Sequence, residues 1–359
     1  MKVAILSVTE GKGYGAEVVL MELLKAIPDG KNFITIIAPE STGIYIGAKE
    51  LGYHAIPLPS SKDSLKNNIA AAFKVRRQCR KFDILHAWTA RAFELLFVLK
   101  SRRGQKISGT LHDHPCANFH GSLRRLLMRF SGNHFDGMVS VSKAVATECN
   151  RSGYKKKITV IYNGLNDEHG FRPQLKKAYF GDRINMVFLG MYSPVKGFEL
   201  IADYINSADA SHKLDWHLYG DICSEYSHRA KSLSGLGKNV FLHGRQPSDK
   251  IFSNAGILIH TSTSFDSLPT VLIEAARSGI PSIASSLGGG NEIVDNGITG
   301  FVFDPNKDGD LMNAIEKCIG DPYALLEMGE AARKRFETGF KVASMVNEYS
   351  KFWKMLIRN

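Results

Sequence analysis

The chain has 359 residues, of which 44% are hydrophobic and 23% charged, which is typical of a globular protein of about two domains and excludes a disordered or fibrous chain. Its apolar runs are far shorter than the roughly 20 residues of a membrane-spanning helix, and its first residues lack the apolar core and cleavage site of a signal peptide. Five widely spaced cysteines without a Cys-x-x-Cys pair predict neither a disulfide framework nor a zinc site. We therefore expect a cytoplasmic protein.

The net charge of +11 is distributed unevenly along the chain. Residues 1–175 contain 26 Lys and Arg against 14 Asp and Glu, whereas the remainder is close to neutral. A basic half indicates an acidic partner, which is an anionic lipid surface, a phosphate-bearing substrate or a nucleic acid. A solvated basic surface without a partner is the alternative.

The first half of the chain alternates short apolar runs with amphipathic segments such as Ala16–Ile27, whose apolar residues recur at helical spacing. Six runs predict strands: Val3–Val8, Phe33–Ala38, Asp83–Trp88, Ile107–Leu111, Gly137–Val141 and Ile158–Tyr162. Near-continuous apolar strands separated by helices are typical of a parallel sheet covered by helices on both faces.

The same alternation starts again in the second half. Five runs predict strands: Asn185–Gly190, Asp215–Gly220, Asn239–His243, Gly256–Thr261 and Pro281–Ser285. The polar stretch Asn166–Asp182 is the predicted linker. The sequence therefore predicts two doubly wound α/β domains, over residues 1–170 and 171–342, followed by an amphipathic helix over about 343–359.

Ligands of doubly wound sheets bind beyond the carboxyl ends of the strands, so we searched the loops there for site residues. After the first predicted strand, Gly11–Ala16 fits the Gly-x-Gly-x-x-Ala pattern of dinucleotide-binding proteins. Glycines let a backbone approach a phosphate or a sugar at the amino terminus of a helix. The acidic residue expected after the second strand is poorly matched by Glu40. A dinucleotide site and a plain structural turn both stay open from these residues.

A second loop, Gly190–Gly197, joins a predicted strand to a predicted helix. Ser193 is expected to be the N-cap, and Pro194 suits the first helical position. Lys196 then falls in the first turn, where its charge opposes the positive end of the helix dipole. An anionic ligand would explain this lysine, and a solvated surface lysine is the alternative.

A third loop, Asp266–Ala275, repeats this design after another predicted strand. Pro269 is expected to begin a helix, because its missing N–H costs nothing at that position. The amides of Thr270 and Val271 would then point outward at the helix amino terminus, where a phosphate binds readily.

Two carboxylates flank this predicted phosphate site. Glu274 lies about one turn further along the same helix face, where an acceptor-only carboxylate suits the hydroxyls of a ribose. Asp266 precedes the helix and could reach a sugar attached beyond the diphosphate. With Lys196, these residues predict a nucleotide-sugar site. The alternative is that Asp266 is a capping residue and Glu274 an ordinary helix residue.

Further motifs in both halves extend this pattern. The second half carries Gly-x₅-Lys-Gly and acid-x₇-Glu elements and a glycine-rich segment over residues 288–300. The first half carries the loop Gly13–Glu17 and, in chain order, Asp83–His86, Leu111–Asp113, Val141–Lys143 and Val160–Gly164. In this order and over nearly the whole chain, the motifs resemble those of family 4 glycosyltransferases.

The resemblance implies the GT-B fold, with two Rossmann-like domains facing a cleft and a last helix crossing back to the first domain. It also implies a transfer that retains the anomeric configuration, uses a nucleotide sugar and needs no metal or other cofactor. Lys196 would stabilise the departing diphosphate, and Glu274 would hold the ribose. Asp266 would hold hydroxyls of the donor sugar, and His112 would contact that sugar from the first domain.

The candidate site residues follow from the motifs and the resemblance together. The catalytic candidates are Lys196, Asp266 and His112. The donor-binding candidates are Gly15, Gly190, Ser193, Leu268, Thr270, Val271 and Glu274. The candidates for contact with the acceptor or the cleft are Tyr14, His86, Ser142 and Asn163.

Two residues depart from the family pattern: Met191 replaces a usual Arg, and Asp266 replaces a usual Glu, which shortens its reach by one methylene.

The segment Ser122–Phe130 has a basic and an apolar side, as an interfacial helix does. Arg124, Arg125 and Arg129 would let it dock on an anionic membrane and a lipid-pyrophosphate acceptor. A helix that packs its leucines into the core and leaves its arginines in water is the alternative.

The sequence therefore predicts a metal-independent retaining glycosyltransferase that moves a hexose-type sugar to a glycan or lipid-linked acceptor. We expect a UDP-sugar donor rather than a GDP- or ADP-sugar, and a role in bacterial surface polysaccharide or lipopolysaccharide synthesis. The protein would lie peripherally on the cytoplasmic face of the inner membrane and bind no nucleic acid. The alternatives are an NAD(P)-dependent dehydrogenase using Gly11–Ala16 and a basic, non-enzymatic nucleic-acid binder; the dehydrogenase leaves the motifs of the second half unexplained.

Overall fold

The computed structural model describes residues 1–8, 15–59, 65–115, 122–167, 183–207, 213–234 and 239–358, without the side chains of residues 65, 66, 68, 122–124 and 234. The chain divides into two compact units. Unit 1 comprises Met1–Asn166 and Lys341–Asn359, and unit 2 comprises Asp167–Phe340. Most of the predicted linker, from residue 168 to 182, lies outside the described residues.

Unit 1 contains a sheet of parallel strands. In chain order the strands are β1 Val3–Leu6, β2 Ile34–Ala38, β3 His54–Pro57, β4 Ile84–Ala87, β5 Lys106–Leu111, β6 Gly137–Ser140 and β7 Ile158–Val160. Their order in the sheet is β3-β2-β1-β4-β5-β6-β7. The chain returns to the centre after β3 and then proceeds to the other edge, which defines a doubly wound sheet.

Unit 2 repeats this topology with its own parallel sheet. In chain order the strands are β8 Ile184–Leu189, β9 Leu214–Tyr219, β10 Val240–Gly244, β11 Ile257–His260, β12 Ser282–Ser285 and β13 Gly300–Phe303. Their order is β10-β9-β8-β11-β12-β13, so the switch point lies between β8 and β11. The predicted doubly wound α/β class is confirmed.

Helices connect these strands. The α-helices of the described residues are α1 Gly15–Ala26, α2 Gly30–Phe33, α3 Gly43–Glu50, α4 Leu65–Val75, α5 Phe93–Leu99, α6 Ser122–His134, α7 Lys143–Arg151, α8 Phe198–Asn206, α9 Ser227–Ser234, α10 Ser248–Phe252, α11 Thr270–Arg277, α12 Gly290–Ile293, α13 Asp310–Ile319, α14 Pro322–Gly339 and α15 Val342–Arg358. Local sequence explains several helix starts. Asp321 accepts hydrogen bonds from the amides of Tyr323 and Ala324 ahead of Pro322, which fits the first helical position.

None of the helices in these ranges is long and apolar enough to cross a membrane.

The last helix, α15, belongs to unit 1. Its buried residues Tyr349, Trp353 and Leu356 join the core that β1, β4 and α1 also supply. The hydroxyl of Tyr349 lies 3.0 Å from Thr110 Oγ1, which lies 2.9 Å from His86 Nε2. The helix is therefore an integral layer of unit 1, packed by aromatic side chains and held by a buried polar network.

Every predicted strand is present, with ends within about two residues of those expected. The sequence patterns missed β3 and β13, and both are edge strands. The sequence of β3, His-Ala-Ile-Pro, is partly exposed and has no continuous apolar run, whereas β13 has a short run of only three apolar side chains, Phe301–Phe303, two residues of which are half-buried.

Candidate functional site

In unit 2, a short 3₁₀ turn over Pro194–Lys196 follows β8. The turn is tied to the segment after β11, because the hydroxyls of Thr261, Ser262 and Thr263 donate to its carbonyl oxygens over 2.7–2.9 Å. Lys196 therefore projects from a backbone fixed at the switch point of the sheet, where doubly wound proteins bind ligands.

Lys196 lies in the first helical turn after Ser193, as expected, but this turn is a 3₁₀ turn and not the start of the α-helix. The α-helix α8 begins two residues later, at Phe198, because Gly197 adopts a left-handed conformation with φ of 68°. A Cβ atom at Gly197 would lie 1.8 Å from the carbonyl oxygen of Thr261, so this crossing requires glycine. Ser193 precedes the 3₁₀ turn but caps no amide with its side chain, which also differs from the expectation.

Asp266 receives two donors on one oxygen. Lys196 Nζ lies 2.7 Å from Oδ2, and His260 Nε2 lies 3.2 Å from the same atom. Burial raises the pKa of the Asp266 carboxyl. The hydrogen bond from His260 and the charge of Lys196 together lower this pKa by more than burial raises it, so it lies well below its usual range. Asp266 is therefore a carboxylate at neutral pH and can accept hydrogen bonds from hydroxyl groups.

The backbone of Asp266 is fixed by the glycine-rich segment that follows β12. Asp266 pairs in parallel with Gly288, and its carbonyl accepts the amide of Gly289 over 2.8 Å. A Cβ atom at Gly288 would lie 2.0 Å from that carbonyl oxygen. The glycines at these positions therefore permit a close approach that sets where the carboxylate stands.

Helix α11 begins at Thr270, directly after Pro269, as expected. The amides of Thr270 and Val271 lie in its first turn, where helix geometry provides no intrahelical acceptor. Glu274 lies in the second turn, and Ser248 Oγ donates to its Oε2 over 2.5 Å. Burial raises the pKa of Glu274, and the hydrogen bond from Ser248 and the charge of Arg277 offset part of that effect.

The remaining donor candidates of unit 2 lie around these groups. Gly190 directly follows β8, and its amide donates to Tyr219 over 3.0 Å. Leu268 is buried, with 5% of its surface exposed. The structure thus brings Lys196 and Asp266 together and places Glu274 on the helix that follows Asp266.

In unit 1, His112 follows β5 and packs its ring against Trp88, with 4.8 Å between the ring centroids. Both ring nitrogens are buried and have no hydrogen-bond partner among the residues that the structure describes. Burial lowers the pKa of His112 to about 3, so its imidazole is neutral at physiological pH. A neutral imidazole can donate one hydrogen bond and accept another.

Three of the acceptor or cleft candidates are buried, and two of them make hydrogen bonds within unit 1. His86 is fully buried and its ring nitrogens lie 2.8 and 2.9 Å from the hydroxyls of Ser108 and Thr110, so both nitrogens are engaged within unit 1, and the contact with an acceptor stays a prediction. Ser142 is buried and caps α7 by accepting the amide of Val145 over 3.1 Å. Asn163, after β7, is 6% exposed.

The glycine loop of unit 1 is described only in part. Tyr14 and the rest of Gly11–Tyr14 lie outside the described residues. Gly15 is the first residue of α1. Trp88 Nε1 donates to the carbonyl of Ala16 over 2.7 Å, which ties the start of this helix to the end of β4.

Helix α6 forms where the basic segment was predicted. Leu126 and Phe130 are 51% and 54% exposed, and they lie beside the exposed Arg125 and Arg129 on the helix surface. The side chain of Arg124 is outside the described residues. Leu126 and Phe130 therefore share the solvent face with the basic side chains, whereas Met128 is buried and Leu127 is half-buried.

Sequence reasoning missed His260 and Ser248. His260 ends the otherwise apolar strand β11, and a polar residue at the carboxyl end of a central strand was the available signal. Ser248 carried no signal, because its contact with Glu274 joins helices 26 residues apart. Within the described ranges, no group of three or more His, Cys, Asp or Glu side chains is placed to hold a metal ion.

Solved structures share this architecture. HepE from Anabaena in complex with UDP superimposes with a TM-score of 0.84 at 21% identity, over 99% of this chain and 100% of that one. The same protein in complex with UDP-glucose gives a TM-score of 0.81 at 20% identity, with 99% and 100% coverage. This likeness shows the fold: the chain has the GT-B fold.

Family models match both halves of the chain. Residues 14–169 match Glycosyltransferase Family 4, and residues 173–335 match Glycosyl transferases group 1. The chain belongs to the family 4 glycosyltransferases.

Curated relatives carry related names. An uncharacterized glycosyltransferase of Methanocaldococcus jannaschii is 27% identical over 63% of this chain and 62% of its own length. The UDP-Gal:alpha-D-GlcNAc-diphosphoundecaprenol alpha-1,3-galactosyltransferase of Escherichia coli is 24% identical over 56% of this chain and 55% of its own length. The chain spans less than two thirds of the length of these curated relatives.

Proposed function

We propose that the protein transfers a hexose-type sugar from a nucleotide diphosphate sugar to a glycan or lipid-linked acceptor, with retention of the anomeric configuration. The observation that carries the proposal is the pairing of Lys196 with Asp266 directly ahead of the amino terminus of α11. A sugar diphosphate can be bound by these groups, because a cation and unpaired amides bind the phosphate oxygens and a carboxylate accepts hydrogen bonds from the sugar hydroxyls.

Each described group has a place in this proposal. Lys196 turns to the diphosphate and stabilises the charge that develops on the leaving group, while the amides of Thr270 and Val271 bind its oxygens. Glu274, oriented by Ser248, accepts hydrogen bonds from the ribose hydroxyls. Asp266 accepts from hydroxyls of the sugar. In unit 1, His112 offers its unpartnered ring nitrogens to a sugar hydroxyl.

The proposed reaction is a displacement on the face from which the diphosphate leaves. The bond between the anomeric carbon and the diphosphate oxygen breaks, and the acceptor oxygen bonds to that carbon. The acceptor proton passes to the departing phosphate, so the step needs no protein base. We propose that Lys196 supplies the positive charge that a metal ion supplies in other enzymes, so that no metal takes part.

UDP-sugars are the proposed donors. HepE, which has the same fold, binds UDP and UDP-glucose, and the E. coli relative is named for UDP-Gal. Met191 stands where the family usually has a second cationic residue, so the diphosphate depends on Lys196 and the helix amides.

The proposed site of action is the anionic cytoplasmic face of the bacterial inner membrane, in the synthesis of surface polysaccharide. The exposed side chains of Leu126 and Phe130 beside Arg125 and Arg129 support it, because such a face can insert apolar groups and attract acidic headgroups. The name of the E. coli relative includes a diphosphoundecaprenol-linked acceptor, which agrees with a lipid-pyrophosphate acceptor here.

A thermal-shift screen tests the donor. UDP-glucose, GDP-glucose and ADP-glucose are added separately, and a ligand bound by the folded protein at about 100 times its Kd stabilises it by about 2.7 kcal/mol. We expect UDP-glucose to raise Tm in the wild type and to raise it less in Glu274→Gln, which loses the carboxylate proposed to hold the ribose. A shift with NADH and none with any nucleotide sugar would contradict the proposal.

A further inference from the structure

The two donors to Asp266 differ in their freedom to move. The Lys196 side chain is 39% exposed and ends a flexible stem. The His260 side chain is 5% exposed and ends β11, which is paired on both sides, with β8 and with β12. Lys196 can therefore turn to another anion, whereas His260 stays where it is.

Asp266 stays in place as well. Its amide donates to Leu287 over 3.1 Å, and its carbonyl accepts the amide of Gly289 over 2.8 Å. The imidazole of His260 and the backbone of Asp266 thus form a fixed pair, and the contact between Nε2 and Oδ2 needs no movement of the chain.

We propose that His260 is a positioning residue that holds the Asp266 carboxylate in place while Lys196 turns to the diphosphate of a bound nucleotide sugar. The inference rests on the proposed function, because the diphosphate is the anion that draws Lys196 away. With Lys196 turned, Nε2 of His260 is the remaining side-chain donor to Oδ2 within the described residues. Without that hydrogen bond the part-buried carboxylate would have no fixed orientation towards the sugar.

The charge of Asp266 depends on the same contact. Burial raises the pKa of this carboxyl, and the hydrogen bond from His260 is the largest of the contributions that lower it. Removing this donor raises the pKa of Asp266, so the carboxylate is protonated at a higher pH. The titratable groups facing Asp266 in the described parts of unit 2 are His260 on β11 and Lys196 in the turn after β8.

The ring geometry supplies a matched pair of variants. A carboxylate only accepts, so Nε2 of His260 is the donor, while Nδ1 is buried and has no partner in the described part of the chain. Glutamine places an amide donor near the position of Nε2 and has no counterpart of Nδ1. Leucine fills similar space and donates nothing. His260→Gln should therefore preserve the function, and His260→Leu should lose it.

The experiment compares wild type, both His260 variants and His217→Leu, which removes a half-buried histidine of β9 in the same sheet. Calorimetry gives the affinity for UDP, and UDP release from UDP-glucose, with water accepting the sugar, gives kcat and its pH profile. We expect His260→Leu to lower kcat about tenfold or more and to move the acidic limb to higher pH, with UDP affinity within about twofold of wild type. His260→Gln should recover most of kcat, and His217→Leu should match the wild type.

Wild-type turnover in His260→Leu, or equal losses in the Gln and Leu variants, would overturn the inference, since the second result indicates a packing role. If His260→Leu does not fold, His260→Gln decides alone: near-normal kcat supports the inference and a large loss overturns it. A wild type that neither binds nor cleaves UDP-, GDP- or ADP-glucose would overturn the proposed function itself. The two failures are therefore distinguishable.

Discussion

Replacing Lys196 by alanine separates its role in catalysis from its role in stability. Its ammonium reaches Asp266 Oδ2 at 2.7 Å, with side-chain exposures of 39% and 18%. An ion pair this open to solvent contributes about 0.2–1 kcal/mol to the free energy of unfolding. A donor aimed at charge that develops in the transition state contributes about 2.7–4 kcal/mol to its stabilisation, or about 100- to 1000-fold in kcat.

We therefore expect Lys196→Ala to remain folded and to lose at least about 100-fold in kcat. The assay follows UDP release at saturating UDP-glucose, together with chemical unfolding of the same samples. Lys307→Ala is the matched control, because Lys307 and Asp310 form an exposed lysine–aspartate pair of 2.9 Å elsewhere in unit 2. The control should lose as little stability as Lys196→Ala and keep its kcat.

Two results would refute this reasoning. A kcat within about twofold of wild type would show that Lys196 does not act on the leaving group. A loss of several kcal/mol of unfolding free energy would show that the pair with Asp266 is a structural element, and the loss of kcat would then have another cause.

Three further outcomes are expected. Turnover should persist in excess EDTA, and a loss restored by Mg²⁺ or Mn²⁺ would contradict the proposed mechanism. The protein should sediment with vesicles containing phosphatidylglycerol at low salt, and much less at about 0.5 M salt, where the Debye length is about 4–5 Å. Changing Arg124, Arg125 and Arg129 to Glu should weaken this binding. A wild type that does not bind the vesicles at low salt would exclude helix α6 as a membrane-binding face. Trp353→Ala should lower the free energy of unfolding by about 3–5 kcal/mol in denaturant titrations, because the side chain is fully buried. Met355→Ala, at a side chain 45% exposed, should cost less than about 0.5 kcal/mol, and equal losses would mean that α15 is not packed as described.

Strand position along the chain was predictable where burial dictated the residue types. Central strands such as β1 and β4 are buried on both faces, so their apolar runs stand out from the neighbouring segments. The edge strand β3 ends in Pro57 and exposes His54, so it carries neither a run nor a clean alternation. Edge position alone does not hide a strand, because the edge strands β7 and β10 carry apolar residues that did predict them.

The candidate site residues were predictable where they lie within one short segment of the sequence. The start of α11 and the positions of Asp266 and Glu274 follow from proline, helix spacing and residue type. The break at Gly197 was not predictable, because it depends on how closely the backbone passes Thr261. The role proposed for His260 was not predictable for a related reason: it depends on a contact with Asp266 that the loop between them creates.

The division of the chain has a consequence for the order in which the protein folds during synthesis. The chain leaves unit 1 after Asn166 and re-enters it at Lys341, next to Leu165, to which Val342 donates a backbone hydrogen bond over 3.0 Å. Unit 2 is thus an insertion with adjacent ends, complete once residue 340 has left the ribosome. Synthesis of unit 1 begins first, but Tyr349 and Trp353 join its core only when α15 emerges. The apolar surface of unit 1 that α15 covers is therefore exposed during the synthesis of the whole of unit 2. A nascent chain stalled within unit 2 therefore exposes apolar surface of unit 1 that α15 covers in the finished protein.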